Sequence, residues 1–328
     1  MQQHVEPILG SLAYETHVMG YPYLASANKA ALREFIGDPD EVAEAIADVE
    51  IVVNHMAPIT RPVIARAAKA QIIGNCRTEP VNIDVQAATE AGIPVVYAPG
   101  RNARAVAEFT IGIIIAECRN IARGHLALAQ GVWRSDLYLY DNAPRELAGQ
   151  TIGLIGFGHI GSMLPSYLKP FGVKVLAYDP YVADAVFVER EAERVTDMAA
   201  LLAESDIVSL HARVTSETLK FIGEKQFRQM KRGAYFVNTA RGPMVDYDAL
   251  HRALTDGHLR GAALETFASE PPPPDWPLLK LSNVTLTPHI AGCSVDSVHL
   301  VATMIAQDIA NFYAGRPLNN CANPEALA

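Results

Sequence analysis

A glycine-rich segment of the chain has the spacing of a loop that binds phosphate groups. Residues 151–161 read Thr-Ile-Gly-Leu-Ile-Gly-Phe-Gly-His-Ile-Gly, an apolar run that leads into Gly-x-Gly-x-x-Gly at Gly156, Gly158 and Gly161. The first glycine permits a tight turn, the second lets the backbone approach a pyrophosphate, and the third permits close helix–strand packing. The N-terminus of the following helix adds positive partial charge. A predicted strand before the loop and a predicted helix after it favour a dinucleotide site over a structural turn.

An acidic residue at the end of the next predicted strand distinguishes between two dinucleotides. Asp179 lies 23 residues after Gly156, close to where this fingerprint carries its ribose-binding acid. Its carboxylate would accept hydrogen bonds from the ribose hydroxyls and repel a 2′-phosphate. Residues 180–182 are Pro-Tyr-Val and bring no arginine to receive such a phosphate. The sequence therefore favours NAD over NADP.

Three charged or titratable residues each follow a predicted strand farther along the chain. They are Arg241, Glu270 and His289. Because ligands of a doubly wound sheet bind beyond the carboxyl ends of its strands, we expect all three at the same edge as the glycine loop. Each residue alone has an ordinary surface or core interpretation. Their order and motif context together indicate a site.

The residues above must be positioned by two series of apolar runs that alternate with helical patterns. Such an alternation is typical of α/β folds with parallel sheets. The first series predicts strands at 5–9, 51–54, 71–75 and 94–97, and helices at 29–36, 40–47, 62–70 and 85–91. Residues 103–130 predict one long, mostly apolar helix that is buried between domains or subunits. The second series predicts strands at 151–156, 174–178, 207–211, 234–238, 262–265 and 284–286, and helices at 160–169, 198–205, 224–231, 247–256 and 297–313.

Composition excludes several classes of protein. The chain has 328 residues, of which 50% are hydrophobic and 19% charged, so we expect two domains with sizeable cores and no extensive disorder. The net charge of −9 argues against nucleic acid and anionic membranes as partners. Four scattered cysteines predict neither a disulfide framework nor a metal site. There is no signal-peptide pattern and no run of about 20 apolar residues. We therefore expect a cytoplasmic protein.

Several motifs in a fixed order resemble the D-isomer-specific 2-hydroxyacid dehydrogenases, the family of phosphoglycerate, hydroxypyruvate and D-lactate dehydrogenases. Beside the glycine fingerprint, these motifs are Asn-Ile-Asp at 82–84, Ala-Pro-Gly-Arg-Asn at 98–102, Ala-Val-Ala-Glu at 105–108, Ser-Asp-Ile-Val-Ser-Leu-His at 205–211, Asn-Thr-Ala-Arg-Gly at 238–242 and Thr-Pro-His-Ile at 287–290. The resemblance covers most of the chain.

The resemblance implies an α/β fold with two doubly wound parallel-sheet domains. A Rossmann cofactor domain, residues 105–294, is inserted into a smaller flavodoxin-like substrate domain, residues 1–104 plus 295–328. The active site is expected in the cleft, closed by hinge motion. The resemblance also implies a homodimer formed through residues 103–149. Because the chain ends soon after its last helix, we do not expect the extra regulatory domain of some phosphoglycerate dehydrogenases.

The resemblance further implies a catalytic trio of Arg241, Glu270 and His289. A guanidinium can hold the substrate carboxylate, an imidazole can give a proton to the 2-oxo oxygen as hydride arrives from the nicotinamide, and a carboxylate can orient the imidazole. The implied NAD contacts are Gly156, Gly158, His159, Ile160, Gly161, Asp179, His211, Thr239, Ala240, Glu265 and Gly292. The implied reaction interconverts a small 2-oxo acid and its D-2-hydroxy acid, with hydroxypyruvate, glyoxylate or phosphohydroxypyruvate as candidate substrates.

Two positions depart from the family pattern. Where relatives often carry Gly-x-Gly, this chain has Arg77-Thr78-Glu79. Thr78 fits positions that approach the nicotinamide or substrate, and Arg77 is predicted to bind a second anionic or polar group on the substrate. The alternative for Arg77 is a surface ion pair with Glu79. Glu265 stands where many relatives have Asp facing the nicotinamide carboxamide.

Two other functions remain open at this point. The same fold also serves in NAD(H)-sensing binding proteins of the corepressor type, and an intact trio does not exclude that use. Formate-type dehydrogenases resemble the fold as well. They carry Gln where Glu270 stands, and their reaction has no alkoxide proton to manage, so Glu270 disfavours this alternative.

Overall fold

The computed structural model describes residues 2–10, 15–20, 27–29 and 32–328. The chain divides into two units, one formed by Met1–Asn102 with Cys293–Ala328 and the other by Ala103–Gly292. The second unit is thus an insertion within the sequence of the first. No helix of the described residues is long and apolar enough to cross a membrane.

The helices of the described residues are α1 Gln2–Leu9, α2 Pro39–Ala45, α3 Arg61–Arg66, α4 Val85–Glu90, α5 Ala103–Cys118, α6 Ile121–Ala129, α7 Leu164–Leu168, α8 Asp184–Glu189, α9 Met198–Glu204, α10 Glu224–Gln229, α11 Tyr247–Thr255 and α12 Val295–Tyr313. The strands are β1 Ala27–Lys29, β2 Leu32–Phe35, β3 Ile51–Asn54, β4 Ile72–Asn75, β5 Val95–Tyr97, β6 Thr151–Ile155, β7 Lys174–Tyr178, β8 Glu193–Arg194, β9 Ile207–Leu210, β10 Tyr235–Asn238, β11 Gly261–Leu264 and β12 Val284–Leu286.

The smaller unit contains a parallel three-stranded sheet in the order β3-β4-β5. One core cluster contains residues of α2, α3 and α4, and another contains residues of α1 and α12. A Cβ at Gly74 of β4 would fall 2.5 Å from Cγ2 of Ile305, so the missing side chain lets α12 pack directly on the strand. Helix α2, which Asp38 caps, precedes β3. Helices α3 and α4, which Thr60 and Asp84 cap, form the crossovers from β3 to β4 and from β4 to β5.

The larger unit contains a parallel seven-stranded sheet in the order β12-β11-β10-β9-β6-β7-β8. Strands β9, β10 and β11 are buried along their whole length, as expected for a sheet that is covered on both faces. The strand order reverses at β6, which pairs with β7 on one side and β9 on the other. Such a reversal opens a ligand crevice at the carboxyl ends of the strands. The predicted α/β fold with doubly wound parallel sheets is confirmed.

Two predictions near the N-terminus are wrong. Residues 5–9, predicted as a strand, lie in α1, where Leu9 is buried beside residues of α12. The segment predicted as a helix at 29–36 contains the last residue of β1 and all of β2, and these two strands pair antiparallel. Residues 30 and 31 lie outside the described residues. Helix α1 packs against α12, which is distant in the sequence, and strands β1 and β2 pair with each other. Local periodicity indicates neither contact.

Two predicted helices are interrupted. The segment at 103–130 is divided into α5 and α6 by Asn120, whose φ of 59° and ψ of 22° are left-handed, a conformation that Asn tolerates better than most residues. α5 has a buried face, whereas no residue of α6 is buried. The segment at 160–169 holds a 3₁₀ turn at Gly161–Met163 and then the five-residue α7. Pro170 follows it and cannot donate the next helical hydrogen bond.

Candidate active site

The glycine loop follows β6 at the point where the strand order reverses. Gly156 has φ of 96°, and a Cβ there would fall 2.5 Å from the backbone N of Ala212. A Cβ at Gly161 would fall 2.2 Å from the carbonyl oxygen of Gly156. Both positions therefore require glycine for the turn itself. At Gly158, by contrast, no heavy atom lies within 4 Å of where the Cβ would be.

Asp179 follows β7 and is held by two backbone amides. The N–H of Phe157 donates to its Oδ2 at 2.8 Å, and the N–H of Tyr181 donates to its Oδ1 at 2.9 Å. The first of these bonds connects the carboxylate directly to the glycine loop. Open space beside Gly158 together with an acid anchored to the loop fits a dinucleotide with a free ribose diol.

The other predicted cofactor residues lie on the loops after neighbouring strands. His159 is exposed and Ile160 half-buried, both in the glycine loop. After β9, Nε2 of His211 lies 2.8 Å from the Ser209 hydroxyl, while its buried Nδ1 makes no hydrogen bond. Burial lowers the pKa of His211 to about 3, so its imidazole is neutral at physiological pH.

Three neighbouring strands, β10, β11 and β12, carry the predicted trio on the segments that follow them. Arg241 comes three residues after β10, with Thr239 and Ala240 buried in the turn before it. The Thr239 hydroxyl hydrogen-bonds that of Thr110 on α5 at 2.9 Å. A Cβ at Gly242 would fall 2.0 Å from the backbone of Phe267. The missing side chain therefore brings the loop after β10 against the loop that carries Glu270.

Glu270 and His289 form a hydrogen-bonded pair. Nδ1 of His289 donates to Oε2 of Glu270 at 2.7 Å, and the N–H of Phe267 donates to Oε1 at 3.0 Å. The carboxylate is thus fixed on one side by its own loop and on the other by the imidazole. With Nδ1 engaged in this way, Nε2 is the nitrogen left to exchange a proton with a ligand.

Glu265 is fully buried, and both its oxygens hold the segment that carries His289. Its Oε2 accepts a hydrogen bond from the Thr287 hydroxyl, and its Oε1 accepts one from the N–H of Ala291 at 2.5 Å. Its carbonyl oxygen accepts from the N–H of His289 at 3.1 Å. His289 has a φ of 54°, a backbone conformation that a residue other than glycine adopts only with support from its surroundings. Gly292, the last residue of the larger unit, follows this segment.

The remaining predicted residues, Arg77 and Thr78, lie after β4 in the smaller unit and are half-buried. The guanidinium of Arg77 donates to the carboxylate of Glu34, and to the Glu34 carbonyl oxygen at 3.3 Å. Glu34 is 43 residues distant in the sequence, and no local pattern indicated it as a partner.

Sequence reasoning did not select two basic residues that the structure places at the carboxyl edge of β3, β4 and β5. They are His55, which follows β3, and Arg101, which follows β5. Arg101 lies within the 98–102 motif that supported the family resemblance, so the available signal was a cation inside a recognised motif.

No group of three or more potential metal-ligating side chains occurs in the described part of the chain.

Comparisons with known proteins identify the family of the chain. Residues 111–291 match the family model described as "D-isomer specific 2-hydroxyacid dehydrogenase, NAD binding domain". The chain is 41% identical over 249 residues to a glyoxylate reductase of Thermofilum pendens, covering 75% of this chain and 73% of the relative. It is 39% identical over 273 residues to a D-3-phosphoglycerate dehydrogenase of Archaeoglobus fulgidus, covering 83% of this chain and 51% of that relative.

Among solved structures, the apo D-lactate dehydrogenase of Escherichia coli superposes with a TM-score of 0.80 at 26% identity, over 98% of this chain and 96% of that one. The chain spans about half the length of the two archaeal phosphoglycerate dehydrogenases that it matches. The family model covers more than half of the chain, and the segment that it covers is an NAD-binding domain. From the shared sequence and the shared architecture together, we conclude that this chain belongs to the D-isomer specific 2-hydroxyacid dehydrogenase family.

Proposed function

We propose that the protein is an NAD-dependent oxidoreductase that interconverts a small 2-oxo acid and its D-2-hydroxy acid. The observation that carries this proposal is the Glu270–His289 pair, hydrogen-bonded at 2.7 Å at the sheet edge that also carries Arg241 and the glycine loop. NADH, when bound, supplies the hydride for reduction of the 2-oxo carbon. Residues 105–294 would form the cofactor domain, and residues 1–104 with 295–328 the substrate domain.

Each side chain of the trio has a role that its chemistry supports. The guanidinium of Arg241 binds the carboxylate common to all 2-oxo acids and polarises the 2-oxo oxygen. His289 donates the proton that converts this oxygen to a hydroxyl and takes it back in the oxidative direction. Glu270 holds the imidazole through Nδ1, which leaves Nε2 as the nitrogen that exchanges a proton with the substrate. Thr78 is assigned to the substrate on the family resemblance.

The cofactor residues divide between two parts of the dinucleotide. The glycine loop with His159 and Ile160 would bind the pyrophosphate, and Asp179 the ribose hydroxyls. The loops after β9, β10 and β12, with His211, Thr239, Ala240 and Gly292, would line the remainder of the NAD site. Glu265 contributes to the nicotinamide end by holding the segment of His289.

The relatives named above are a reductase and dehydrogenases, and they lend no support to the alternative of an NAD(H)-sensing binding protein. The carboxylate of Glu270, aimed at an imidazole, also disfavours a formate-type reaction. Such a reaction releases carbon dioxide and leaves no oxygen that needs a proton.

The test is oxidation of NADH by the purified protein with a panel of 2-oxo acids, and NADPH in parallel. Turnover of glyoxylate, hydroxypyruvate or phosphohydroxypyruvate with NADH, and much slower turnover with NADPH, is the expected result. NADH binding without turnover of any 2-oxo acid would contradict the proposed reaction and favour a sensing protein.

We further propose that the protein is a homodimer. α6 and the segment after it expose large apolar side chains, among them Leu126, Trp133 and Tyr140, which is 95% exposed. This is the segment through which the family resemblance implies a dimer. Light scattering is expected to give twice the chain mass for the wild type and one chain mass for Trp133→Asp.

The four cysteines are free thiols, which supports a reducing compartment such as the cytoplasm.

A further inference from the structure

The loop that carries Glu270 contains no helix or strand. It comprises residues 265–276, between β11 and a 3₁₀ turn at Pro277–Lys280. The hydrogen bond from the N–H of Phe267 to Oε1 of Glu270, at 3.0 Å, lies within this loop. It orients the carboxylate relative to the loop, but it does not hold the loop on the sheet. Other contacts must therefore fix the position of Glu270 relative to His289.

Tyr247, the first residue of α11, contacts the loop near its beginning. Its hydroxyl donates to the carbonyl oxygen of Thr266 at 2.7 Å, and both residues are buried. Burial raises the pKa of the Tyr247 phenol, so the hydroxyl stays protonated and remains a donor. Because a buried carbonyl that loses its donor is destabilised, this hydrogen bond fixes the backbone of the loop at Thr266.

Trp276 connects the two ends of the loop through contacts between aromatic rings. Its ring lies edge-to-face with that of Tyr247, with centroids 5.2 Å apart at an angle of 74°, and with that of Phe267, at 5.7 Å and 85°. Such contacts are favourable and depend on the orientation of the rings. Phe267 is buried, and its N–H is the donor to Glu270. The three rings therefore connect α11 to the amide that holds the Glu270 carboxylate.

Tyr247 is also close to the loop after β10. Asn238, the last residue of β10, is a neighbour of its hydroxyl. The Asn238 side chain accepts a hydrogen bond from the N–H of Ala240 at 3.0 Å and donates one to the carbonyl oxygen of Arg241 at 3.2 Å. One phenol thus lies between the segments that carry Arg241 and Glu270, two members of the proposed catalytic trio.

We propose that Tyr247 is a positioning residue for the proton transfer, because it holds the loop that places the Glu270 carboxylate against Nδ1 of His289. The inference rests on the proposed function. In this role the phenol touches neither substrate nor cofactor and exchanges no proton. Trp276 supports the same loop from its other end. Loss of the Tyr247 hydroxyl should allow the Thr266 carbonyl to move, and the hydrogen bond between Glu270 and His289 should then weaken.

The first measurement is of kcat and KM for Tyr247→Phe, which removes only the hydroxyl. With the preferred 2-oxo acid, kcat should fall by roughly tenfold and KM for NADH should stay within about twofold of the wild type, since small displacements of a catalytic group are costly. The matched control is Tyr235→Phe. Tyr235 is as buried as Tyr247, at 8% exposed, but it is the first residue of β10 and lies at the edge of the sheet opposite the trio. This variant should behave as the wild type.

A double variant tests whether Tyr247 acts through Glu270. If it does, Tyr247→Phe should lower kcat by less than about twofold in a Glu270→Ala background, because the contact that it positions is already absent there. Equal fold losses in the two backgrounds would show that the hydroxyl serves something other than this contact, and they would overturn the inference. An unchanged kcat in Tyr247→Phe alone would overturn it as well.

A spectroscopic measurement separates failure of this inference from failure of the proposed function. The Nδ1 proton of His289 should give a downfield proton resonance, identified by its absence in His289→Asn. In Tyr247→Phe this resonance should move upfield or disappear through exchange with water, whereas in Tyr235→Phe it should stay in place. An unchanged resonance in Tyr247→Phe overturns the inference whether or not any 2-oxo acid is turned over. If no 2-oxo acid is turned over and the resonance still responds as expected, only the proposed function fails.

The thermal unfolding midpoint reports whether each variant is folded. If Tyr247→Phe is not, Trp276→Phe takes its place, because it weakens the ring contacts with Tyr247 and Phe267 and keeps an aromatic side chain. We expect the same change in the His289 resonance and a smaller decrease in kcat. A lower midpoint with an unchanged resonance would mean that these rings stabilise the fold alone, and it would overturn the inference.

Discussion

The carboxyl edges of the two parallel sheets place charge in opposite ways. At the edge of the seven-stranded sheet, the carboxylate of Glu270 is paired with His289, and that of Glu265 with a hydroxyl and an amide. At the edge of the three-stranded sheet, Arg101 is half-buried, its Nε makes no hydrogen bond, and no ion pair of the described residues includes it. Paired groups are held in fixed positions, which proton transfer needs, whereas an unpaired cation retains its capacity to attract an anion. The fixed Glu270–His289 pair at the edge of the seven-stranded sheet is what the proposed proton transfer requires.

The strongest way to break this comparison is to remove the proton donor. His289→Asn should lower kcat by a factor on the order of 10² to 10⁴, the usual contribution of general acid–base catalysis. Turnover is measured as NADH oxidation with the preferred 2-oxo acid. The NADH dissociation constant, followed by cofactor fluorescence, should stay within about twofold of the wild type. Nearly intact turnover would mean that another group donates the proton.

A smaller effect is expected for a variant that keeps the imidazole of His289 but weakens the hydrogen bonds that position its segment. Glu265→Asp removes one methylene, so a single carboxylate can no longer reach both Thr287 and Ala291. We expect kcat to fall by about 10- to 100-fold, because small displacements of a catalytic group are costly.

The control for this variant is Glu204→Asp, the same exchange at an exposed position of α9, which should behave as the wild type. A change confined to KM for NADH would instead indicate that Glu265 acts on the cofactor alone.

A substitution of Asp179 tests whether the carboxyl edge of the seven-stranded sheet also sets the preference for NADH over NADPH. Asp179→Ala removes the charge that is proposed to accept hydrogen bonds from the ribose and to repel a 2′-phosphate, so we expect the preference for NADH over NADPH to fall by about tenfold. The ratio of kcat/KM values for the two cofactors measures it. Asp248→Ala, an exposed site on α11, should leave the ratio unchanged. An unaltered ratio in Asp179→Ala would place cofactor discrimination elsewhere.

The smallest predicted effect concerns stability against pH. The pKa of His211 is lowered from 6.5 to about 3 by burial, so between these values the unfolded chain binds a proton that the folded chain does not. Stability therefore rises with pH through this window and falls as the solution is acidified. Between pH 7 and pH 5 this residue should cost about 2 kcal/mol of unfolding free energy.

Urea unfolding at the two pH values measures this cost. In His211→Asn the decrease on acidification should be smaller by about the same amount. Equal pH dependence in both proteins would mean that the folded chain accommodates the imidazolium.

Much of the larger unit could be predicted from sequence because its signals are local. The apolar runs of β6, β7 and β12 lie within a residue of their predicted positions. Most residues of β6 and β7 are buried, whereas β12 at the end of the sheet is largely half-buried. Gly156 and Gly161 were predicted from their spacing, and the structure shows a steric reason for each. Their part in cofactor binding, like that of the catalytic trio, stays a prediction.

The sequence by itself determined the alternation of strands and helices, the glycine turn, and which charged residues follow which strands. Tertiary structure alone decided that the left-handed Asn120 separates α5 from α6, that Glu34 approaches Arg77 from 43 residues away, and that both oxygens of Glu265 support the segment of His289. It also decided that no ion pair of the described residues includes Arg101. Spacing and propensity report interactions within a few residues, whereas ion pairing and desolvation depend on groups that only the folded chain brings together.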